Sequence, residues 1–259
     1  MELNLSGKVA VVTGASKGIG LAVVQALAAE GVRVVAGART TDALTSLSGS
    51  VHAVSVDLAG PDGPGRLVDE AVTTFGGLDI LVNNVGYVKP HLGGFTSISD
   101  DDWLAALTLN LLAAVRTTRA AVPHLVQRGS GNIVTISSVN AFLPDAPIMD
   151  YTAAKAGLTN FSKALSKELG PQGIRVNTIS PGPVSTPLWL GAGGVADAFA
   201  AATGADPSAI AEGAVAGSAT RRFTTPGEVA DLVLLLASRR AGNVTGADFV
   251  IDGGLVQTL

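Results

Sequence analysis

Cysteine is absent from the 259-residue chain, which excludes disulfides, thiolate metal sites and cysteine nucleophiles. Histidine is scarce: His52, His91 and His124 lie far apart, none in a metal-binding H-E-x-x-H pattern, so no metal is expected. Aromatic residues make up only 4%, too few for the stacking platforms that hold single-stranded nucleic acid. No run of Lys or Arg exceeds two residues, and the net charge is −4. Neither a nucleic acid nor an anionic membrane is therefore an expected partner. No apolar run approaches the roughly 18 residues of a membrane span. Met1–Lys8 shows no basic stretch followed by an apolar one, so no signal peptide is expected and the expected setting is the cytoplasm.

What is present is core-forming material. Hydrophobic residues account for 47% and charged residues for 15%, the reverse of a disordered chain. Short β-branched runs alternate with longer amphipathic stretches, which predicts an α/β fold with a parallel sheet flanked by helices. The seven predicted strands are Val9–Thr13, Arg33–Ala36, Val51–Val56, Ile80–Asn83, Ile133–Ser137, Arg175–Ile179 and Asp248–Ile251. Helices are predicted over Leu21–Glu30, Gly65–Phe75, Trp103–Gln127, Tyr151–Leu169 and Pro226–Ala237. Asp100–Asp102 should cap the third of these, and Pro123 should kink or end it. No repeat and no interdomain linker interrupts residues 1–259, so one domain is expected. Ser185–Ala219, rich in Gly and Ala, reads either as a flexible surface insertion or as a mobile lid over a site.

Directly after the first strand comes Thr13-Gly14-Ala15-Ser16-Lys17-Gly18-Ile19-Gly20, opening into a helix. Three glycines alone say little; between a strand and a helix they predict a dinucleotide site. Gly14 permits the turn, Gly18 lets backbone approach a pyrophosphate, Gly20 allows tight packing, and the helix N-terminus favours the anion. The spacing G-x-x-x-G-x-G resembles that of the short-chain dehydrogenase/reductase family, and other motifs carry the resemblance from about Leu5 to Gly254. Asn83-Asn84-Val85-Gly86 looks like the family's N-N-A-G turn, with Val in place of Ala. Asn110 stands where the family has a catalytic Asn, and Ser138, Tyr151 and Lys155 match its Ser…Tyr-x-x-x-Lys set. Pro181-Gly182 and Asp252-Gly253-Gly254 follow the last two strands.

The resemblance implies a Rossmann-type, doubly wound seven-stranded sheet with helices on both faces, in a single domain. It also implies hydride transfer between a nicotinamide and a carbonyl or alcohol. Asp57 and Leu58 would contact adenine; Asn84 and Gly86 would border the cofactor; Pro181, Gly182, Val184 and Thr186 would hold the nicotinamide. Lys155 would bind the ribose hydroxyls. By the family's alignment Ala38 takes the place of the acid that NAD-specific members set against the ribose 2′-hydroxyl, and Arg39 follows it. A guanidinium there can pair with a 2′-phosphate, and Lys17 adds a second charge, so NADP(H) is favoured over NAD(H).

Tyr151 and Lys155, four apart on a predicted helix, share a face. The ammonium should lower the phenol's pKa, making Tyr151 the acid for reduction and base for oxidation. Ser138, at a strand end, would orient the substrate oxygen. Ser137 should point to the opposite side. Asn110 would hold a water or Lys155 in place. Tyr87, with no lysine four residues on, is assigned to the pocket wall. Asn140, Leu143, Met149, Leu188 and Trp189 flank the expected site and are either substrate contacts or ordinary packing.

The favoured activity is a ketone reductase resembling 3-oxoacyl thioester reductases, acting on an apolar small-molecule ketone. The alternatives are an NAD-dependent alcohol or sugar dehydrogenase and a non-catalytic dinucleotide-binding regulator. The resemblance implies a homotetramer, or a dimer, packed through Trp103–Gln127 and Tyr151–Leu169.

Overall fold

Branched side chains pack well on a pleated surface covered on both faces, and the Val- and Ile-rich runs become the strands of such a sheet. The computed structural model describes residues 2–47 and 49–258. Its strands are β1 (Val9–Thr13), β2 (Arg33–Ala38), β3 (Val51–Ser55), β4 (Ile80–Asn83), β5 (Gly131–Ile136), β6 (Ile174–Pro181) and β7 (Asp248–Ile251). All pair in parallel, in the order β3-β2-β1-β4-β5-β6-β7. The helices are α1 (Gly18–Ala29), α2 (Asp42–Thr45), α3 (Gly63–Phe75), α4 (Asp100–Leu107), α5 (Ala113–Arg128) and α6 (Met149–Leu169). They continue with α7 (Pro187–Leu190), α8 (Val195–Thr203), α9 (Pro207–Ala216) and α10 (Pro226–Ala237).

Strand alternation divides the core in two. Ala10 and Val12 face α1 and α10, where Val23, Val24, Leu27, Val229 and Val233 are buried with them. Val9 and Val11 face the other side, with Leu67 and Val68 of α3 and Leu125 of α5. Each fully buried Leu or Val contributes roughly 1.5–3 kcal/mol. The sheet is the Rossmann-type, doubly wound arrangement expected.

Two local expectations are corrected. The α4 cap is Ser99, not the acids: its hydroxyl accepts from the Asp102 N–H at 3.2 Å, while Asp102 reaches back to the Ser99 N–H at 3.2 Å. Asp100–Asp102 instead fill the first turn, where negative charge suits the helix dipole. The long predicted helix is also interrupted at a different place. Pro123 lies inside α5, which runs on to Arg128; the irregularity is a π-helical turn over Thr108–Leu112. Pro123 is exposed, so the carbonyl that loses its partner can face water, which is why the helix tolerates it. Ser185–Ala219 is largely helical, forming α7, α8 and α9. Among the described residues no helix is long and apolar enough to cross a membrane, and no three His, Cys, Asp or Glu side chains are grouped to hold a metal.

Pro123→Ala is expected to stabilise the protein by about 2 kcal/mol. Helix propensity gains about 3 kcal/mol and a looser unfolded chain returns about 1. Urea unfolding of the two proteins measures the difference.

Candidate active site

The strand order reverses between β1 and β4, opening a crevice at the carboxyl ends of the strands. A short polar network joins the two strands there. The Thr13 hydroxyl accepts from the N–H groups of Asn84 at 2.9 Å and Val85 at 3.1 Å. The Asn84 carboxamide donates to the carbonyls of Thr13 at 2.9 Å and Gly14 at 3.0 Å. Gly14 has φ +65°, and a Cβ on it would come within 2.9 Å of the Val85 Cα. Gly20 lies beneath the turn, where a Cβ would sit 2.2 Å from the Gly14 carbonyl oxygen. Sequence requires glycine at both places because backbone already occupies the space.

A cleft of about 870 Å³ opens from this point. It brings together Gly14, Ser16, Lys17, Gly18, Ile19, Arg39, Asp57, Leu58, Asn84 and Gly86 with Ser138, Tyr151, Lys155, Pro181, Gly182, Val184 and Thr186. Two candidates are not on its wall. Gly20 packs behind the turn, so its part is to shape the loop and not to touch a ligand. Asn110, 1% exposed, is clamped within the protein. Its carboxamide oxygen accepts from the Tyr87 N–H at 3.0 Å, and its nitrogen donates to the carbonyls of Tyr87 at 2.8 Å and Ala106 at 2.9 Å. None of these bonds reaches Lys155. The π-turn that carries Asn110 is what aims it at the Tyr87 backbone.

Ser138 lies just beyond β5, capping a 3-10 turn: its hydroxyl accepts from the Asn140 N–H at 3.1 Å. Ser137 turns to α6, sharing a 2.6 Å hydrogen bond with Thr159. Tyr151 and Lys155 lie on the first two turns of α6, with the ammonium 5.7 Å from the ring centroid. Lys155 donates to the Ile136 carbonyl at 2.9 Å. Burial pushes the Tyr151 phenol above its ordinary value, partly offset by the neighbouring Ser138 hydroxyl. That corrects the expectation of a lowered phenol. Lys155 points its charge at a backbone carbonyl, and burial lowers its own pKa to about 8.

The cation placement also has a geometric basis. Ala38 is buried at the end of β2, and the exposed Arg39 stands beside it on the cleft wall with Lys17 opposite in the glycine loop. Asp57 curls into a local turn, accepting from the Ala59 N–H at 3.0 Å.

Residue-by-residue reading missed part of the far wall. Asn140, Leu143, Leu188, Trp189 and Tyr87 line it, whereas Met149 does not and its neighbour Ile148 does. Val195 and Phe199 of α8, Ile210 and Ala214 of α9, and Leu255 complete it. The i, i+4 spacing of the two helical pairs is the signal that could have revealed them.

A family model described as enoyl-(acyl carrier protein) reductase matches residues 14–256. A 3-alpha-(or 20-beta)-hydroxysteroid dehydrogenase of Mycobacterium tuberculosis is 36% identical, covering 100% of this chain and 93% of its own. A 3-oxoacyl-acyl-carrier-protein reductase of Thermotoga maritima is 33% identical over 98% of this chain and 100% of its own. Among solved structures, L-sorbose reductase of Gluconobacter frateurii, in complex with NADPH and L-sorbose, is 35% identical, with TM-score 0.91 and full coverage of both chains. The chain belongs to the short-chain dehydrogenase/reductase family.

The buried Lys155 makes stability depend on pH. Its pKa is about 8 folded against 10.5 for the free side chain, so the fold holds it charged at a cost below pH 8. That cost disappears as pH rises through 8–10.5, and amounts to up to about 3 kcal/mol. Lys155→Met lacks this dependence. Urea unfolding at pH 7 and pH 10.5 should show wild type gaining on the variant as pH rises.

Proposed function

We propose that the protein is an NADP(H)-dependent carbonyl reductase that converts an apolar ketone to a secondary alcohol, with Tyr151 as proton donor. The observation that carries this reading is the meeting of Ser138, Tyr151 and Lys155 in the same cleft as the glycine turn and Arg39. The cofactor suits the residues present. Gly18 opens α1 on the cleft wall without a side chain of its own, and no carboxylate stands at Ala38 to repel a 2′-phosphate. Arg39 and Lys17 would take that phosphate, Asp57 and Leu58 the adenine, and Val184 and Thr186 the carboxamide. Bound there, NADPH supplies the hydride.

The chain's own groups do the rest. Ser138 donates a hydrogen bond to the substrate carbonyl oxygen and supports charge as it develops. Tyr151 then transfers its proton to that oxygen. The phenol is protonated at neutral pH, the state that reduction requires. Lys155 binds the cofactor's ribose and provides the positive partner for the phenolate left behind. Asn110 acts at one remove, by holding the Tyr87 backbone at the cleft wall.

Leu143, Leu188, Trp189, Phe199 and Ile210 make the substrate end largely apolar, and Asp145 beside them would repel an anion, so the wall favours ketones without negative charge; efficient turnover of a phosphorylated ketone would overturn that choice. In this reading 185–219 is the substrate lid, since α7, α8 and α9 all contribute to the far wall. A homotetramer, or a dimer, packed through Trp103–Gln127 and Tyr151–Leu169 would cover the exposed Leu104, Leu112 and Val126 of the first stretch.

Two measurements test the proposal. Tyr151→Phe should lower kcat for ketone reduction by about 10²–10⁴-fold while leaving NADPH bound. By titration, NADPH should bind at least about tenfold tighter than NADH, and Arg39→Ala should remove most of that difference, about 1.4 kcal/mol or more. Equal binding of NADH would point instead to an oxidative, NAD-dependent dehydrogenase.

A further inference from the structure

Asp150, the residue before Tyr151, is 2% exposed and carries a carboxylate into the interior. A buried carboxylate needs partners, and this one has two. Its Oδ1 accepts from the Tyr151 N–H at 2.8 Å, and its Oδ2 lies 3.1 Å from Nε2 of His91, also buried. Helix α6 begins at Met149, and Ile148 at its N-cap offers no side-chain hydrogen bond, so Asp150 is the group that satisfies a free N–H of the first turn. Its charge there also suits the helix dipole.

His91 belongs to the irregular segment after β4, which supplies Tyr87 and Val88 to the cleft wall. That segment is tied down twice. Asn110 grips the Tyr87 backbone from the π-turn, and the His91 backbone N–H donates to the Pro147 carbonyl at 2.7 Å. Lys89, held by Asp102 at 2.6 Å, adds a positive charge within range of Asp150. Tyr151 is the other ionisable group beside the pair.

We propose that His91 and Asp150 are positioning residues that hold Tyr151 in its proton-delivering pose and lock it to the substrate-side Tyr87–Gly94 segment. The inference rests on Tyr151 as proton donor. Neither residue of the pair lines the cleft. The pair sets where the α6 N-terminus sits, and so keeps the phenol in place beside Ser138. A hydrogen bond of the right length at residue 91 is what the arrangement requires, so a glutamine, whose Nε2 has similar reach, should replace histidine where leucine and the shorter asparagine do not.

The test uses His91→Gln, His91→Asn and His91→Leu in the full-length protein. Expected are a kcat at least tenfold lower for the Leu and Asn variants, with NADPH affinity within threefold of wild type, and recovery of most of the loss in the Gln variant. The chain has only two tyrosines, so carbon-13 at the tyrosine Cζ gives two resonances, assigned with Tyr87→Phe and Tyr151→Phe. Admission of water should lower the Tyr151 titration toward 10 in the Leu and Asn variants and leave it in place in the Gln variant. Wild-type kcat together with an unchanged Tyr151 titration in the Asn variant would overturn the proposal. So would a Gln variant no better than Asn. The resonance is read without turnover: full activity in Tyr151→Phe would remove the proton-donor reading, while the tie between the pair and the phenol is still judged by the titration.

Discussion

The join between β1 and β4 is the constraint on which the rest depends. Adjacent parallel strands diverge there because their crossovers run to opposite faces, and backbone groups that would otherwise pair along the sheet must find other partners. Thr13 and Asn84 supply them: one hydroxyl accepts two N–H groups and one carboxamide donates to two carbonyls. The glycine turn is held against that network so closely that Gly14 and Gly20 leave no space for a side chain. The cleft opens at this join, lined on its wall by both the glycine turn and the Ser138, Tyr151 and Lys155 side chains.

Burial governs the chemistry at the other end. Tyr151 is pushed up and Lys155 down by the same loss of water, so both side chains are driven toward their uncharged forms. Sequence spacing misjudged the phenol because four residues of separation place two side chains on one face, but the Ile136 carbonyl decides where the ammonium points.

Much of the fold was legible because its signals are local. The runs Val9–Thr13, Ile80–Asn83 and Asp248–Ile251 coincide with strands, since nearly continuous branched residues admit little else. The glycine turn and the Tyr151–Lys155 pair were legible through spacing. What escaped depends on contacts distant in sequence. His91 and Asp150 are 59 residues apart, and no periodicity links them. Pro123 looked like a breaker because propensity does not register which face of α5 meets water. The wall residues of α8 and α9 hid in a Gly- and Ala-rich stretch whose average composition masks two short amphipathic patterns.

The π-turn at Thr108–Leu112 amounts to one extra residue wound into an otherwise regular helix. Each residue advances an α-helix by about 100°. Spread along the helix, the surplus residue would turn α5 by about that angle relative to α4; confined to one turn, it leaves both segments free to pack on their own faces. The widened turn presents Asn110 to the Tyr87 backbone. A helix can in this way hold a polar anchor without changing register on either side.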